Sequence, residues 1–375
     1  MNLFLIFPRF ASEHISKDVY LFPKYMAEQL NAELYICFDK DNDLNYSFDD
    51  NVKVKDLALK GHSECSFMSI LKQIFFIYKN RNDIDLLVLF HYRWYSLILS
   101  LFYKLLKSSG KVYIKSDMPL NEASNVFNQS SSFIKKLRRI IYLNLARVVD
   151  VISFEVKDVY DAVKSSTSSD YIKSKFRLIP NGYVSSTDSH HELIKENMFL
   201  TVGRLGTYQK NTEFLLDVIE GLNLKDWTFH FVGPVQDSFA SRIEEFYARN
   251  PHLAKSVFFE GSISDLALKN SFYERAKVFV LPSRYESYGL VLLEAASYNC
   301  HLISTNVGAI NDLISIYNCS GQVLEQDIEC FRSKMQKIID CNIYPVSNDV
   351  KSLEMNDERQ RITSPRRQRR RQVDV

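Results

Sequence analysis

Residues 278–298, VFVLPSRYESYGLVLLEAASY, read as a strand, a turn and a helix in immediate succession. VFVLP is a short apolar run rich in β-branched and aromatic residues, the composition of a strand buried on both faces. SRYES is polar and short, as a tight turn requires. YGLVLLEAASY is apolar on nearly every side after its first turn, which suits a helix packed back onto the sheet. A buried strand leading directly into a helix is the repeating unit of a parallel α/β sheet. Within it stand two carboxylates. Glu286 lies in the turn at the helix amino terminus, where it can meet the hydroxyls of a ligand, and Gly289 leaves the first free N–H groups of the helix open to close approach. Glu294 is flanked by Leu292, Leu293, Ala295 and Ala296, so the pattern predicts a buried carboxylate. Such a group needs partners or loses its charge. Ribose or sugar hydroxyls are suitable donors; an exposed helix glutamate, or one paired with an arginine, is the plain alternative.

The same rhythm recurs along the chain. NLFLIF, ELYICF, DLLVLFH, KVYIKSD and DVISFE in the first half, and MFLTVGR, WTFHFVG, SVFFEG, VFVLPS and HLISTN in the second, alternate with helix-length segments. The pattern predicts two doubly wound Rossmann-like domains, the size of core that 375 residues can support. The expected organisation is a first domain over 1–185, a polar linker over 186–197, a second domain over 198–345 and a disordered, arginine-rich tail over 346–375. In open sheets of this kind ligands sit beyond the carboxyl ends of the strands, so two facing domains predict a cleft between them.

Composition excludes several classes. The chain is 46% hydrophobic with a net charge of +2, and residues 351–375 hold Lys351 and seven arginines against four acids, leaving the rest slightly acidic. That balance gives no support to nucleic-acid binding by the body. An arginine-rich nucleic-acid arm in the tail is a separate reading. Six scattered cysteines without a Cys-x-x-Cys pair argue against a zinc site and against a disulfide framework. No run approaches the roughly 18 apolar residues of a membrane span, and MNLFLIF reads as a strand, so a cytoplasmic protein is expected. Residues 133–147, FIKKLRRIIYLNLAR, place Phe133, Ile134, Leu137, Ile140, Ile141 and Leu145 near one helical face, with Lys135, Lys136, Arg138 and Arg139 on the rest. Such a helix can lie on an anionic membrane, or face the core with its basic side solvated. WYSLILSLFYKLL (94–106) reads as a buried crossover helix.

Candidate chemistry gathers after the strands. Arg204 follows FLTVG and Lys210 begins the next helix, so two cations flank a helix amino terminus that already favours an anion. His91 ends DLLVLFH, and Lys115 and Asp117 end KVYIKSD; these are candidate contacts for an acceptor or a transferred sugar.

Taken together, VGRLGTYQKN and VFVLPSRYESYGLVLLEAASYNCHLISTNVGAINDLI resemble the large retaining glycosyltransferase family of GT-B fold, which uses nucleotide-sugar donors. The resemblance rests on Val-Gly-Arg with a later Lys, then Pro-Ser, two glutamates separated by seven residues and a Gly-Ala turn, in order over residues 199–314. It implies that Arg204 and Lys210 bind the donor diphosphate and stabilise the departing nucleoside diphosphate, that Glu286 contacts the transferred sugar and that Glu294 takes the ribose hydroxyls. Tyr288, Gly289 and Leu290 complete the implied donor site. No metal and no cofactor are implied, the nucleotide sugar being a substrate. The expected function is transfer of a hexose to a growing cell-surface saccharide, a lipid-linked O-antigen or capsule precursor. A catalytically silent nucleotide-sugar-binding protein is the alternative, because PRFASEH replaces the glycine-rich turn that many members carry after the first strand.

Overall fold

The computed structural model describes residues 1–15, 17–40, 48–49, 51–60, 66–127, 132–183, 194–342 and 353–354. It divides between Asn181 and Gly182 into two compact units, each built on its own sheet.

The first unit contains β1 (Asn2–Ile6), α1 (Asp18–Gln29), β2 (Glu33–Phe38), β3 (Val52–Asp56), α2 (Phe67–Asn80), β4 (Leu86–Phe90), α3 (Trp94–Leu106), β5 (Lys111–Ser116), α4 (Leu120–Phe127), α5 (Phe133–Leu145), β6 (Val151–Phe154), α6 (Lys157–Ser165), α7 (Asp170–Lys173) and β7 (Phe176–Leu178). Its seven strands run in the order β3-β2-β1-β4-β5-β6-β7, every neighbouring pair parallel. Leu3, Leu5, Leu34, Ile36 and Val88 of the central strands bury against Val19, Tyr20, Phe22 and Met26 of α1. Each such side chain contributes about 1.5–3 kcal/mol relative to exposure.

The second unit contains β8 (Glu196–Val202), α8 (Thr212–Glu220), β9 (Thr228–Val232), α9 (Ala240–Arg249), β10 (Val257–Gly261), α10 (Leu266–Arg275), β11 (Ala276–Leu281), α11 (Leu290–Ser297), β12 (His301–Ser304), α12 (Ile310–Ser315), β13 (Gly321–Val323) and α13 (Ile328–Cys341). The strand order is β10-β9-β8-β11-β12-β13, again all parallel. Phe199, Phe229 and Phe231 stack along the sheet, and Leu215, Leu216, Ile219, Phe331, Met335 and Ile338 from α8 and α13 join them in one core with Trp227.

In each sheet the direction of winding reverses once, where β1 lies beside β4 and β8 beside β11. This switch point is where an open sheet offers a crevice at its carboxyl end. It sets Arg204 and Lys210, after β8, next to Ser283 and Glu286, after β11.

The strands that sequence reasoning found are the inner ones and β10. β3 (VKVKD), β7 (FRL) and β13 (GQV) escaped it. All three lie at sheet edges, where one side meets solvent and the apolar run breaks into alternation or shortens. β8 begins at Glu196, inside the stretch read as linker; residues 184–193 lie outside the described residues. The expectation of an ordered fold ending near 345 needs correction at two positions. Leu353 is fully buried and its carbonyl accepts the Tyr183 N–H at 3.1 Å, beside a parallel bridge from Tyr183 to Glu354. A lone leucine in a charged stretch carries no periodic signal, so only the fold reveals its role.

Among the described residues no helix is long and apolar enough to cross a membrane. α3 is buried through Leu97, Leu99 and Tyr103, as expected of a crossover helix. α5 does not use its apolar stripe for the core. Phe133 and Ile134 are 76% and 77% exposed, Leu137, Ile140 and Ile141 are exposed too, and only Tyr142 and Leu143 of the helix are buried.

Candidate functional site

In the second unit the loop after β8 and the loop after β11 converge. Lys210 Nζ sits 2.6 Å from Glu286 Oε1, the same oxygen to which Ser283 Oγ donates at 2.6 Å. Gln209 Nε2 donates to the other oxygen, Oε2, at 3.2 Å. Arg204 is exposed and donates from Nη2 to Gln209 Oε1 at 3.1 Å. Glu286, read as a turn residue open to a ligand, is 8% exposed and held by three side chains.

The local backbone explains why these residues meet. Asn211, fully buried, adopts the left-handed conformation (φ +54°) ahead of α8 and donates from Nδ2 to the Pro282 carbonyl at 3.2 Å. That joins the two loops directly behind Lys210. Gly289 caps α11 at φ +77°, a region open to glycine at little cost. Gly308 (φ +55°) passes so close to the same turn that a Cβ there would lie 2.3 Å from the Tyr288 carbonyl oxygen, which accepts the Ala309 N–H at 2.8 Å. Gly308 is therefore a steric requirement for seating Tyr288, itself 3% exposed, beneath the amino terminus of α11. Beside Ser283 an open hollow of about 420 Å3 is lined by Arg284, Thr305, Asn306, Leu324 and Gln326, room enough for a small polyhydroxylated group.

Glu294 departs from expectation. It lies on α11, yet its side chain is 34% exposed, and its oxygens are taken by Lys269 Nζ at 3.2 Å and the Tyr273 hydroxyl at 2.7 Å. The flanking leucines and alanines turn to the core while residue 294 points along the α10 side. Its partners are a lysine and a tyrosine on one face of α10, an i, i+4 pair that a reading confined to the 278–298 stretch could not reveal. Burial raises the Tyr273 hydroxyl well above its ordinary value, and the Glu294 charge adds to this. Tyr273 therefore stays a hydrogen-bond donor.

In the first unit His91, Lys115 and Asp117 do fall at strand carboxyl ends, but in two different settings. His91 Nδ1 lies 2.6 Å from Asp117 Oδ1. Burial works against the Asp117 charge, but the hydrogen bond and the neighbouring His91 overcome it, leaving the carboxyl below its usual range. His91 adopts φ +68°, a strained conformation for a non-glycine residue of the kind that gathers at functional sites. Lys115 is corrected as an acceptor contact. It is fully buried, 2.6 Å from Glu155 Oε1, 2.6 Å from Asn181 Oδ1 and 3.7 Å from Asp18 Oδ2, so it holds the ends of β5, β6 and β7 together rather than facing a ligand. Burial pushes the Glu155 carboxyl up to about 8, with Asp18 and Asp117 adding to the shift against the pull of Lys115. PRFASEH, with Phe7 just before it, packs as an aromatic cluster: Phe7 lies 5.2 Å from the His14 ring and 5.8 Å from His91, centroid to centroid, and Phe10 is fully buried.

Comparison with known proteins agrees with this geometry. Residues 196–341 match the family model described as Glycosyl transferases group 1. The capsular polysaccharide biosynthesis glycosyltransferase CapH of Staphylococcus aureus is 25% identical over 250 residues, covering 63% of this chain and 69% of CapH. Further curated relatives align over about a third to a half of their own length. Among solved structures, the lipopolysaccharide outer core galactosyltransferase WaaB superposes with a TM-score of 0.69 at 13% identity, covering 96% of this chain and 99% of WaaB. Anabaena HepE in complex with UDP-glucose superposes with a TM-score of 0.60 at 12% identity, covering 98% and 95%. The two parallel sheets thus make the GT-B fold, and within the second unit residues 196–341 match the model of the glycosyl transferases group 1.

Proposed function

We propose that this chain is a retaining, metal-independent glycosyltransferase that moves a hexose from a nucleoside-diphosphate sugar to a growing cell-surface saccharide. The observation that carries the reading is the cluster after β8 and β11. It joins an exposed guanidinium (Arg204), an ammonium (Lys210) and a nearly buried carboxylate (Glu286) at the amino terminus of α11. Breaking a glycosyl phosphate leaves negative charge growing on the diphosphate, and fixed cations aimed at it lower the transition state more than the ground state. In this reading Arg204 and Lys210 supply that charge without a divalent ion. Glu286, drawing one oxygen away from Lys210 as the diphosphate arrives, accepts hydroxyls of the transferred sugar. Tyr288, Gly289 and Leu290 present the backbone at the start of α11, and Glu294 with Tyr273 takes the ribose.

The match to CapH and the likeness to WaaB and HepE support a polysaccharide-assembly role and a nucleotide-sugar donor. His91, oriented by Asp117, is the acceptor-side contact in this reading. The uncovered stripe of α5, beside exposed Lys135, Lys136 and Arg138, supports docking on the anionic inner leaflet and hence a lipid-linked acceptor. Sedimentation with anionic vesicles that is indifferent to salt and to charge reversal at those lysines and Arg138 would remove that part of the account.

The test of the reaction is to incubate the protein with candidate nucleotide sugars and a lipid-linked saccharide. NMR then follows both the release of nucleoside diphosphate and the configuration of the new anomeric centre. Release with retained configuration is expected; an inverted centre refutes the mechanism. Binding without any release would favour the silent binding protein, a reading to which the aromatic cluster standing in place of a glycine-rich turn at PRFASEH lends support.

A further inference from the structure

One of the side chains that tie the two loops together carries no charge. Gln209 receives Arg204 Nη2 on Oε1 at 3.1 Å and donates from Nε2 both to Glu286 Oε2 at 3.2 Å and to the Tyr285 carbonyl at 3.1 Å. Its main-chain carbonyl accepts the Arg284 N–H at 2.8 Å. The amide orientation follows from its neighbours. A flipped amide would turn N–H groups toward a guanidinium, which has no acceptor, and a carbonyl toward a carboxylate, which has no donor.

We propose that Gln209 is a positioning residue for sugar transfer, holding Arg204 and Glu286 in fixed relation through one amide. The inference rests on the reading of Arg204 and Glu286 as donor-site groups. Lys210 and Ser283 both engage Oε1 of Glu286, which leaves the carboxylate free to swing about that oxygen; among the described residues the hydrogen bond to Oε2 comes from Gln209. Arg204 is exposed on a long side chain, and the same amide limits where its fork points. Holding charges in place before the reaction is worth far more than their mere presence. Gln209 reaches neither through charge nor through nucleophilicity, so its effect is on geometry alone.

The substitution Gln209→Glu separates this role from simple packing. It keeps the shape and the oxygen that faces Arg204, but at neutral pH it places a second carboxylate against Glu286. Like charges so close favour uptake of a proton, and the protonated side chain regains a donor in the place of Nε2. Initial rates of transfer are measured for wild type, Gln209→Ala and Gln209→Glu from pH 5 to 9, with thermal unfolding as a check on the fold. The expected result for Gln209→Ala is a kcat about tenfold to a hundredfold lower, with donor KM changed far less. Gln209→Glu should be as impaired above pH 7 and recover toward wild type on acidification, while Gln209→Ala does not recover. A wild-type kcat in Gln209→Ala, or a Gln209→Glu profile parallel to that of wild type, overturns the proposal. A wild-type protein that turns over no donor instead refutes the proposed function, and this inference with it.

Discussion

Each sheet sets a lysine against a glutamate at the carboxyl ends of its strands, and both pairs close to 2.6 Å, Lys115 with Glu155 and Lys210 with Glu286. Their surroundings differ. Lys115 is sealed, with Asp18 and Asn181 as further partners. Lys210 stands beside the exposed Arg204, with Gln209 and Ser283 completing the carboxylate's bonds. One lysine among several acids has no charge to offer a diphosphate and serves to lock three strands. Two cations against one acid do have charge to offer. The same residue pair is a fastener in one sheet and, in the proposed reading, part of a donor site in the other, and the difference lies in the neighbours rather than in the pair.

The contrast can be broken most sharply at Arg204. Its change to alanine should lower transfer about 10²- to 10³-fold, as removal of a preorganised charge donor does elsewhere, read as kcat with saturating donor. An effect below threefold would put the working cations somewhere else.

Stability should reverse the ranking. Lys115→Met should cost about 3 kcal/mol in denaturant unfolding, since a buried pair then lacks its cation, and the cost should grow with pH as Glu155 ionises. Lys210→Met should cost less than about 1 kcal/mol, because Glu286 keeps Ser283 and Gln209 as donors. Equal losses would erase the distinction between the two pairs.

The pH response should likewise differ between the sheets. Glu155 binds its proton more tightly folded than unfolded, so its contribution is complete below its ordinary value near 4.5 and is lost as pH rises through about 8. His301 on β12 runs the other way. Burial, with Lys334 adding, pushes its imidazole from 6.5 down to about 4, so its contribution is present above 6.5 and is lost as pH falls toward 4. Glu155→Gln should flatten the decline between about pH 4.5 and 8, and His301→Gln the acid one, as seen in unfolding midpoints across pH. Swapped effects would contradict the burial assigned to either group.

A smaller effect is expected at Lys269. Its change to alanine leaves Glu294 with Tyr273 alone, and should shift donor affinity by less than about tenfold, read by titration of the nucleotide.

What the sequence made legible follows from these environments. Inner strands such as β2 and β11 announce themselves because both faces are largely buried and, apart from Glu33 and Lys277 near their starts, their residues are apolar. Edge strands β3 and β13 do not, their solvent side being written in lysine, aspartate and glutamine. Arg204, Lys210 and Glu286 could be named from one stretch each because strand ends deliver them to the same place. The partners that decide their behaviour come from elsewhere: Gln209 from a loop without periodicity, and Lys269 and Tyr273 from a helix whose own pattern is weakly amphipathic. Burial of Glu294 was misjudged for the same reason, since apolar neighbours in sequence face the core while the glutamate itself turns away. Lys115 was misjudged in the opposite sense, because a charged residue at a strand end looks open until two acids and an asparagine from three other segments close around it.

The most direct measurement is ligand-detected NMR of the purified protein with a panel of UDP-, GDP- and other nucleotide sugars, comparing wild type with Arg204→Ala and Glu294→Ala. The account predicts selective binding of one donor, weakened by both changes. Absence of binding above background, or binding indifferent to both substitutions, would contradict a donor site in the second unit.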